Sequence, residues 1–312
     1  MSGPDAASLH LPVMPDEVLG ALDVSRGGVY VDCTLGLGGH SEAILSASDQ
    51  TRVIGIDQDD EALRLAHGRL DKFGDRIRLV KANFSEVGEV VDGEPDGILA
   101  DLGVSSLQLD SETRGFSFRF DAPLDMRMDP ASGGQTAAEL LEELDETEIA
   151  NIIYQYGEER HSRRIARRIV EKRRAGEPVK TTAELAELVK RSIRFNPKDK
   201  IHPATRTFQA LRIAVNHELE ILEKFIFDAA DKLKTDGVLA IITFHSLEDR
   251  IVKQAFQRLA GRCICPPRQP QCTCGARKTV EIVTRKPIIP TEDEQRQNPR
   301  SRSAKLRACR KL

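Results

Sequence analysis

Asp32, Asp57 and Asp101 each close a short apolar run, and a glycine-rich turn, Leu35-Gly-Leu-Gly-Gly39, follows the first of them. The runs Gly28–Val31, Arg52–Ile56 and Gly97–Ala100 read as strands, and a helical pattern starts near His40. Strand, glycine turn and helix in that order let a nucleoside ligand approach bare backbone. A dinucleotide fingerprint would need Gly or Ala where the chain has Ser41, and no Lys followed by Ser or Thr makes a Walker A loop. No cationic side chain lies in the turn to meet a phosphate. The acid Asp32 ahead of the glycines instead suits a ligand with a positive end. S-adenosylmethionine has that chemistry: an ammonium, a sulfonium and no phosphate.

The positions of the other strand ends agree. Asp57 follows Gly36 by 21 residues, where an α/β fold puts a carboxylate on ribose hydroxyls. Ile77-Arg-Leu-Val-Lys-Ala-Asn-Phe84 reads as a third strand whose Asn83-Phe84 end can flank an adenine, and Asp101 ends a fourth. Ligands in open α/β sheets bind beyond the carboxyl ends of the strands. Asp32, Asp57, Asn83-Phe84 and Asp101 should therefore share one edge.

Longer stretches carry a family resemblance. They are Asp32–His40, Asp101-Leu-Gly-Val-Ser-Ser106, Gly115-Phe-Ser-Phe-Arg-Phe120, Pro123-Leu-Asp-Met-Arg-Met-Asp129, Ile201-His-Pro-Ala-Thr-Arg-Thr-Phe-Gln-Ala-Leu-Arg212, Phe244-His-Ser-Leu-Glu-Asp-Arg250 and Asn298–Lys305. Through them the chain resembles the bacterial ribosomal RNA small-subunit methyltransferase H family. The resemblance implies a class I, Rossmann-like α/β methyltransferase with a mostly parallel sheet. It implies methyl transfer to the N4 amine of a cytidine in the decoding region of 16S ribosomal RNA. It also implies S-adenosyl-L-methionine bound by Gly38, Gly39, His40, Asp57, Phe84, Asp101 and Gln108. The residue pattern reaches all of these except Gln108, which rests on resemblance alone.

A net charge of −3 does not by itself suggest a nucleic-acid partner, but its distribution does. Glu158–Arg206 holds fifteen Lys and Arg against seven Asp and Glu, and Arg296–Leu312 holds seven Lys and Arg and no acid. Two basic regions on an acidic body are a footprint for a polyanion, here the small ribosomal subunit and its 16S RNA. No apolar run approaches the roughly 18 residues of a membrane span. Met1-Ser-Gly-Pro-Asp5 lacks the features of a signal peptide. A cytoplasmic enzyme with reduced cysteines is expected, without a membrane and with no stable protein partner inferred.

The elements that must position these residues come in two kinds. Strand signals stop near Leu107 and resume at Gly237–Phe244, and helical patterns fill the space between. Ala137–Leu144 and Arg160–Arg174 are two helices, and Thr181 with Glu184 reads as a capping box opening a third through Ile193. Phe208, Leu211, Val215, Leu219, Leu222, Ile226, Ala229 and Leu233 recur at helical spacing and predict one long helix back to the sheet. Leu247, Ile251, Ala255 and Leu259 mark another helix, and Thr279–Thr284 fits a last strand. The domain reading is a methyltransferase domain at 1–110 and 203–290. A helical substrate-recognition insert occupies 111–202, and a basic C-terminal tail 291–312.

Asp101 is the best candidate to accept an N–H of the target amine. Carbon methylation, the rival chemistry, would need an attacking cysteine. Cys33 reads more readily as a small buried residue, and no cysteine lies in the loop directly after the fourth strand. Phe116, Phe118 and Phe120 are candidates either for base stacking or for core, and His245 either for substrate contact or for a helix start capped by Ser246. Cys263, Cys265, Cys272 and Cys274 form two C-x-C pairs that fit either structural zinc or a reduced, metal-free loop, so no metal ligand is assigned. A small-molecule or protein methyltransferase and a non-catalytic assembly factor are the alternatives. The basic regions speak against the first and the intact acids and glycine turn against the second.

Overall fold

The computed structural model describes residues 11–193, 202–265, 273–274 and 276–312. Ile201 and Cys272, both singled out in the sequence, lie outside them. The chain divides into two compact units, Met1–Gly103 with Leu219–Leu312, and Val104–Glu218.

The first unit is built on a seven-stranded sheet. Its strands are β1 (Gly28–Asp32), β2 (Thr51–Asp57), β3 (Ile77–Lys81), β4 (Gly97–Asp101), β5 (Val238–Thr243), β6 (Val280–Ile282) and β7 (Lys305–Lys311). The order is β3-β2-β1-β4-β5-β7-β6. Pairing is parallel from β3 to β5, while β7 runs antiparallel to both β5 and β6. All six residues of β5 and the first four of β4 are buried, as expected for strands covered on both faces. Alternation then assigns each face its partners. Ile98, Ala100, Leu239 and Ile241 pack with Phe225, Ile226, Leu233 and Phe256 on one side. Leu99, Val238, Ala240 and Ile242 pack with Val18, Leu22, Ile44 and Leu70 on the other. The class I α/β architecture follows: helices on both faces of a mostly parallel sheet.

The segment 291–312 departs from the reading of a basic tail. It contains the helix Glu292–Gln297 and β7, which is inserted between β5 and β6. Leu306, Ala308 and Cys309 are buried there, and so is Arg307, whose guanidinium meets Asp249 at 2.6 Å. Asp249 also takes Lys305 at 3.4 Å. One half-buried carboxylate thus lets a cationic strand enter a core. The run at Thr279–Thr284 is a three-residue edge strand, not the last one.

In the second unit, the helices Ala137–Glu143, Glu146–Gly157, Ser162–Arg174, Thr182–Ser192 and Thr205–Asn216 enclose a core that includes Leu140, Ile149, Ile153, Ile165, Ile169, Leu185 and Phe208. Capping boxes at Thr136/Glu139, Asp145/Glu148 and Thr181/Glu184 start three of them. A Cβ at Gly157 would lie 2.5 Å from the Arg206 carbonyl oxygen, so glycine sets how closely two of these helices approach. The single long return helix is in fact two, Thr205–Asn216 and Glu218–Lys232, broken at His217 with φ 52°. The apolar spacing runs on across the break, which is why periodicity does not register it. Arg212 holds Glu218 through two 2.9 Å bonds just past the kink.

Candidate cofactor site

The turn after β1 is fixed by its own polar atoms. Asp32 is fully buried; its carboxylate accepts from the Ser41 hydroxyl at 2.8 Å and from the Thr34 amide at 3.3 Å. Asp32 is therefore a brace between the turn and the helix Gly39–Ala47, a role different from the open anion inferred from sequence. The Cys33 amide donates to Leu99 of β4 and the Leu35 amide to Ile56 of β2. The chain is thereby spread over the β1–β4 switch point, where open α/β sheets bind ligands. Gly38 caps the helix at φ 77°, and a Cβ there would come within 2.9 Å of Leu70. One at Gly39 would press on Pro12 at 3.2 Å. Bare backbone is thus a steric requirement of the turn.

Two carboxylates flank it. In the register β1 Asp32 pairs with β2 Gly55 and β4 Leu99, so Asp57 and Asp101 each stand two residues further along. Asp57 accepts from the Gly36 amide at 2.8 Å and the Asp59 amide at 2.9 Å. Burial outweighs those two donors and pushes its carboxyl up to about 6. The Asp101 amide donates to the Thr34 hydroxyl at 2.6 Å. Its Oδ2 lies 3.6 Å from His40 Nε2, an ion-pair contact too long for a hydrogen bond, and its buried Oδ1 has no hydrogen-bond partner. His40 Nδ1 is likewise buried and unpartnered. Burial works against charge on His40, but the Asp101 carboxylate and then Asp32 outweigh it, and its pKa is raised.

β3 ends at Lys81, short of the expected Phe84. Asn83 instead caps a one-turn helix, Phe84–Glu86, and donates to Gln58 Oε1 at 2.8 Å, beside Asp57. Phe84 meets Phe225 edge to face, with centroids 5.1 Å apart. The first unit therefore brings Gly38, Gly39, His40, Asp57, Phe84 and Asp101 to the carboxyl ends of β1–β4. Gln108 belongs to the second unit, where it is buried in a capping box with Ser105. Thr34 and Ser41, whose hydroxyls tie the turn to Asp101 and Asp32, were given no site role in the sequence. Their side chains follow no spacing rule, and only their place inside Asp32–Ser41 marks them.

The structure places the other candidates as follows. Phe118 stacks on His202 at 4.5 Å and meets Phe208 edge to face; Phe116 is buried in the same core, and Phe120 is 39% exposed. His245 is itself the cap of the helix Ser246–Leu259, in a reciprocal box with Glu248; the expected cap, Ser246, is the first helical residue.

A family model for the MraW methylase family matches residues 7–312. The chain belongs to the MraW methylase family. Proteins called ribosomal RNA small subunit methyltransferase H are similar over nearly full length. The one from Brevibacillus brevis is 50% identical, with 97% of this chain and 98% of that protein aligned. Those from Heliobacterium modesticaldum and Symbiobacterium thermophilum are each 52% identical, covering 97% of this chain and 98% and 96% of theirs. The cofactor of this MraW-family chain is S-adenosylmethionine. The site's chemistry fits it: a glycine turn without cations, an unpartnered buried carboxylate oxygen for a positive group, and a second carboxylate 21 residues past Gly36.

Proposed function

We propose that this protein transfers a methyl group from S-adenosylmethionine to the N4 amine of a cytidine in the decoding region of small-subunit 16S ribosomal RNA. The observation that carries the reading is the full-length likeness, at about half identity, to proteins named as ribosomal RNA small subunit methyltransferases. The cofactor supplies an electrophilic methyl carbon on a sulfonium.

The protein's own part is positioning and electrostatics. The cytosine amine is a weak nucleophile because its lone pair is delocalised into the ring. Aligning it with the methyl carbon and holding one N–H recovers reactivity. Asp101 offers a carboxylate oxygen for that N–H, and His40 and Thr34 hold the carboxylate and its backbone. Gly38, Gly39, His40, Asp57, Phe84 and Asp101 itself are the proposed cofactor contacts, and the resemblance adds Gln108. Cys33 is 2% exposed and burial pushes its thiol well up, so it is unsuited to the attack that carbon methylation requires.

The exposed Arg163, Arg164, Arg167 and Arg168 of the second unit supply cationic surface for a phosphate backbone. No described helix is long and apolar enough to cross a membrane, which accords with the proposed cytoplasmic action on ribosomal subunits.

The test is methyl transfer from labelled cofactor to small subunits lacking the modification, with nucleoside mass spectrometry of the product. One N4-methylated cytidine in the decoding region is expected. Cofactor binding without label in subunits or free RNA would sink the reading.

A further inference from the structure

Beyond the methyl-transfer site, the described residues hold one cluster with metal-ligating chemistry. The Sγ atoms of Cys263, Cys265 and Cys274 all lie within 4.8 Å of one another. Cys263 and Cys274 approach to 3.6 Å, and none of the three is in a disulfide. A disulfide needs its sulfurs at about 2.05 Å. A tetrahedral zinc–thiolate set, with Zn–S near 2.3 Å, places its sulfurs about 3.8 Å apart. The 3.6 Å pair fits the second arrangement and rules out a bond between those two sulfurs, and the third sulfur lies within 4.8 Å of both.

The backbone around the sulfurs is arranged for anions. The Cys265 amide donates to Cys263 Sγ and the Thr273 amide to Cys265 Sγ, each at 3.4 Å. Donors of this kind orient a thiolate and lower its charge density, as outer-shell groups do at metal sites. Arg262, Arg277 and Lys278 stand close by in sequence and offset the charge that three thiolates leave over a dication.

The position in the fold gives the cluster a purpose. The helix Ser246–Leu259 and β6 are joined by a loop whose base is closed by the Ala260–Lys278 bridge and by a 2.8 Å bond from the Thr279 amide to the Leu259 carbonyl. Cys263 and Cys265 lie on the outgoing arm and Cys274 on the returning one. The arms bring little apolar surface: Ile264 is 58% exposed. An ion bound by both arms would close the loop.

We propose that Cys263, Cys265 and Cys274 hold a structural zinc ion that fastens the two arms of this loop. Each ligating thiol gives its proton to solvent, no electron moves, and the metal keeps its charge. A fourth position remains for water or a further donor. The ion takes no part in methyl transfer.

The experiment uses the full-length protein, freed of any affinity tag and purified without chelator. Elemental analysis should find about one zinc per chain. The ion should be lost in Cys263→Ser and Cys274→Ser, while both variants keep the wild-type circular dichroism and S-adenosylmethionine affinity. Cobalt(II) offered to stripped wild-type protein should give thiolate-to-metal charge-transfer absorption that fades in each variant. Stripping should also speed tryptic cleavage at Arg262 and Arg277. Folded wild-type protein that retains no zinc after loading and desalting would overturn the proposal. So would variants that keep the metal as well as the parent does.

Discussion

The Asp101 amide donates to the Thr34 hydroxyl across 2.6 Å, so the end of β4 is fastened to the turn that follows β1. The bond spans the switch point and sets where the Asp101 carboxylate sits relative to the glycines. Thr34→Val keeps the shape but takes the acceptor from that part-buried amide. It should lower stability by about 1–3 kcal/mol and weaken cofactor binding more than RNA binding. Chemical denaturation and calorimetric titration with S-adenosylmethionine check both. Unchanged cofactor affinity would separate this bond from the site.

Gly38 combines a left-handed φ of 77° with a Cβ position 2.9 Å from Leu70. Gly38→Ala should therefore cost about 1–3 kcal/mol in strain and shift the start of the helix Gly39–Ala47. Thermal unfolding and cofactor titration should both report it. Leu70→Ala in the same chain should relieve the steric part but not the dihedral part, so a complete rescue would refute the dihedral argument.

Asp57 has its carboxyl raised to about 6 by burial. A raised carboxyl favours the protonated fold, so its effect on stability is most favourable below its ordinary value near 4. That contribution is lost as pH climbs to about 6, and is level above. If the carboxylate is the form that accepts ribose hydroxyls, cofactor affinity moves the opposite way: it rises through pH 6 and then levels. Titration calorimetry from pH 5 to 8 should show that limb, and Asp57→Asn should lack it. His40, raised from its ordinary 6.5 by Asp101 and Asp32 against burial, acts in a separate window above that value. A pH profile unchanged in Asp57→Asn would count against the assignment.

Legibility in the sequence followed burial and local chemistry. β1, β2 and β4 are apolar runs closed by an acid, and the glycine turn leaves few other readings, so the cofactor edge was readable. The role of Asp32 was not, because a braced carboxylate and an open one have the same letter and the same neighbours. β7 was hidden by its cations, since Asp249, which neutralises them, lies 56 residues before Lys305. The break at His217 costs one residue of left-handed backbone and leaves the apolar spacing intact. The helix Glu146–Gly157 has an Asp145/Glu148 box but was passed over amid polar residues.

The Asp249 pairings make a prediction of their own. Arg307 is 6% exposed, so Asp249→Ala would strand a buried guanidinium and should cost about 3–5 kcal/mol. The denaturation midpoint should fall accordingly. Replacing the close pair, Asp249→Leu with Arg307→Met, should recover much of that loss, because no buried charge is then left unpaired and Lys305, at 39% exposure, can turn to solvent. A double variant no better than the single one would mean that the ion pair matters for position and not only for neutralisation.

Asp101 is where the cofactor edge and the proposed chemistry meet. Its Oδ1 is buried without a partner, and its Oδ2 faces His40 at 3.6 Å. A side chain needed only for binding would, on conversion to Asn, weaken cofactor affinity and leave turnover at saturation nearly intact. A side chain that accepts the target N–H should do the reverse, because an amide remains nearly isosteric but accepts less strongly and presents an N–H of its own. Asp101→Asn should therefore bind S-adenosylmethionine within a few-fold of the parent and lose roughly 100-fold or more in single-turnover methyl transfer to small subunits. His40→Gln, which leaves the carboxylate but removes the neighbouring cation, should lose less. Full turnover in Asp101→Asn would falsify the acceptor role and leave the carboxylate as a binding group alone.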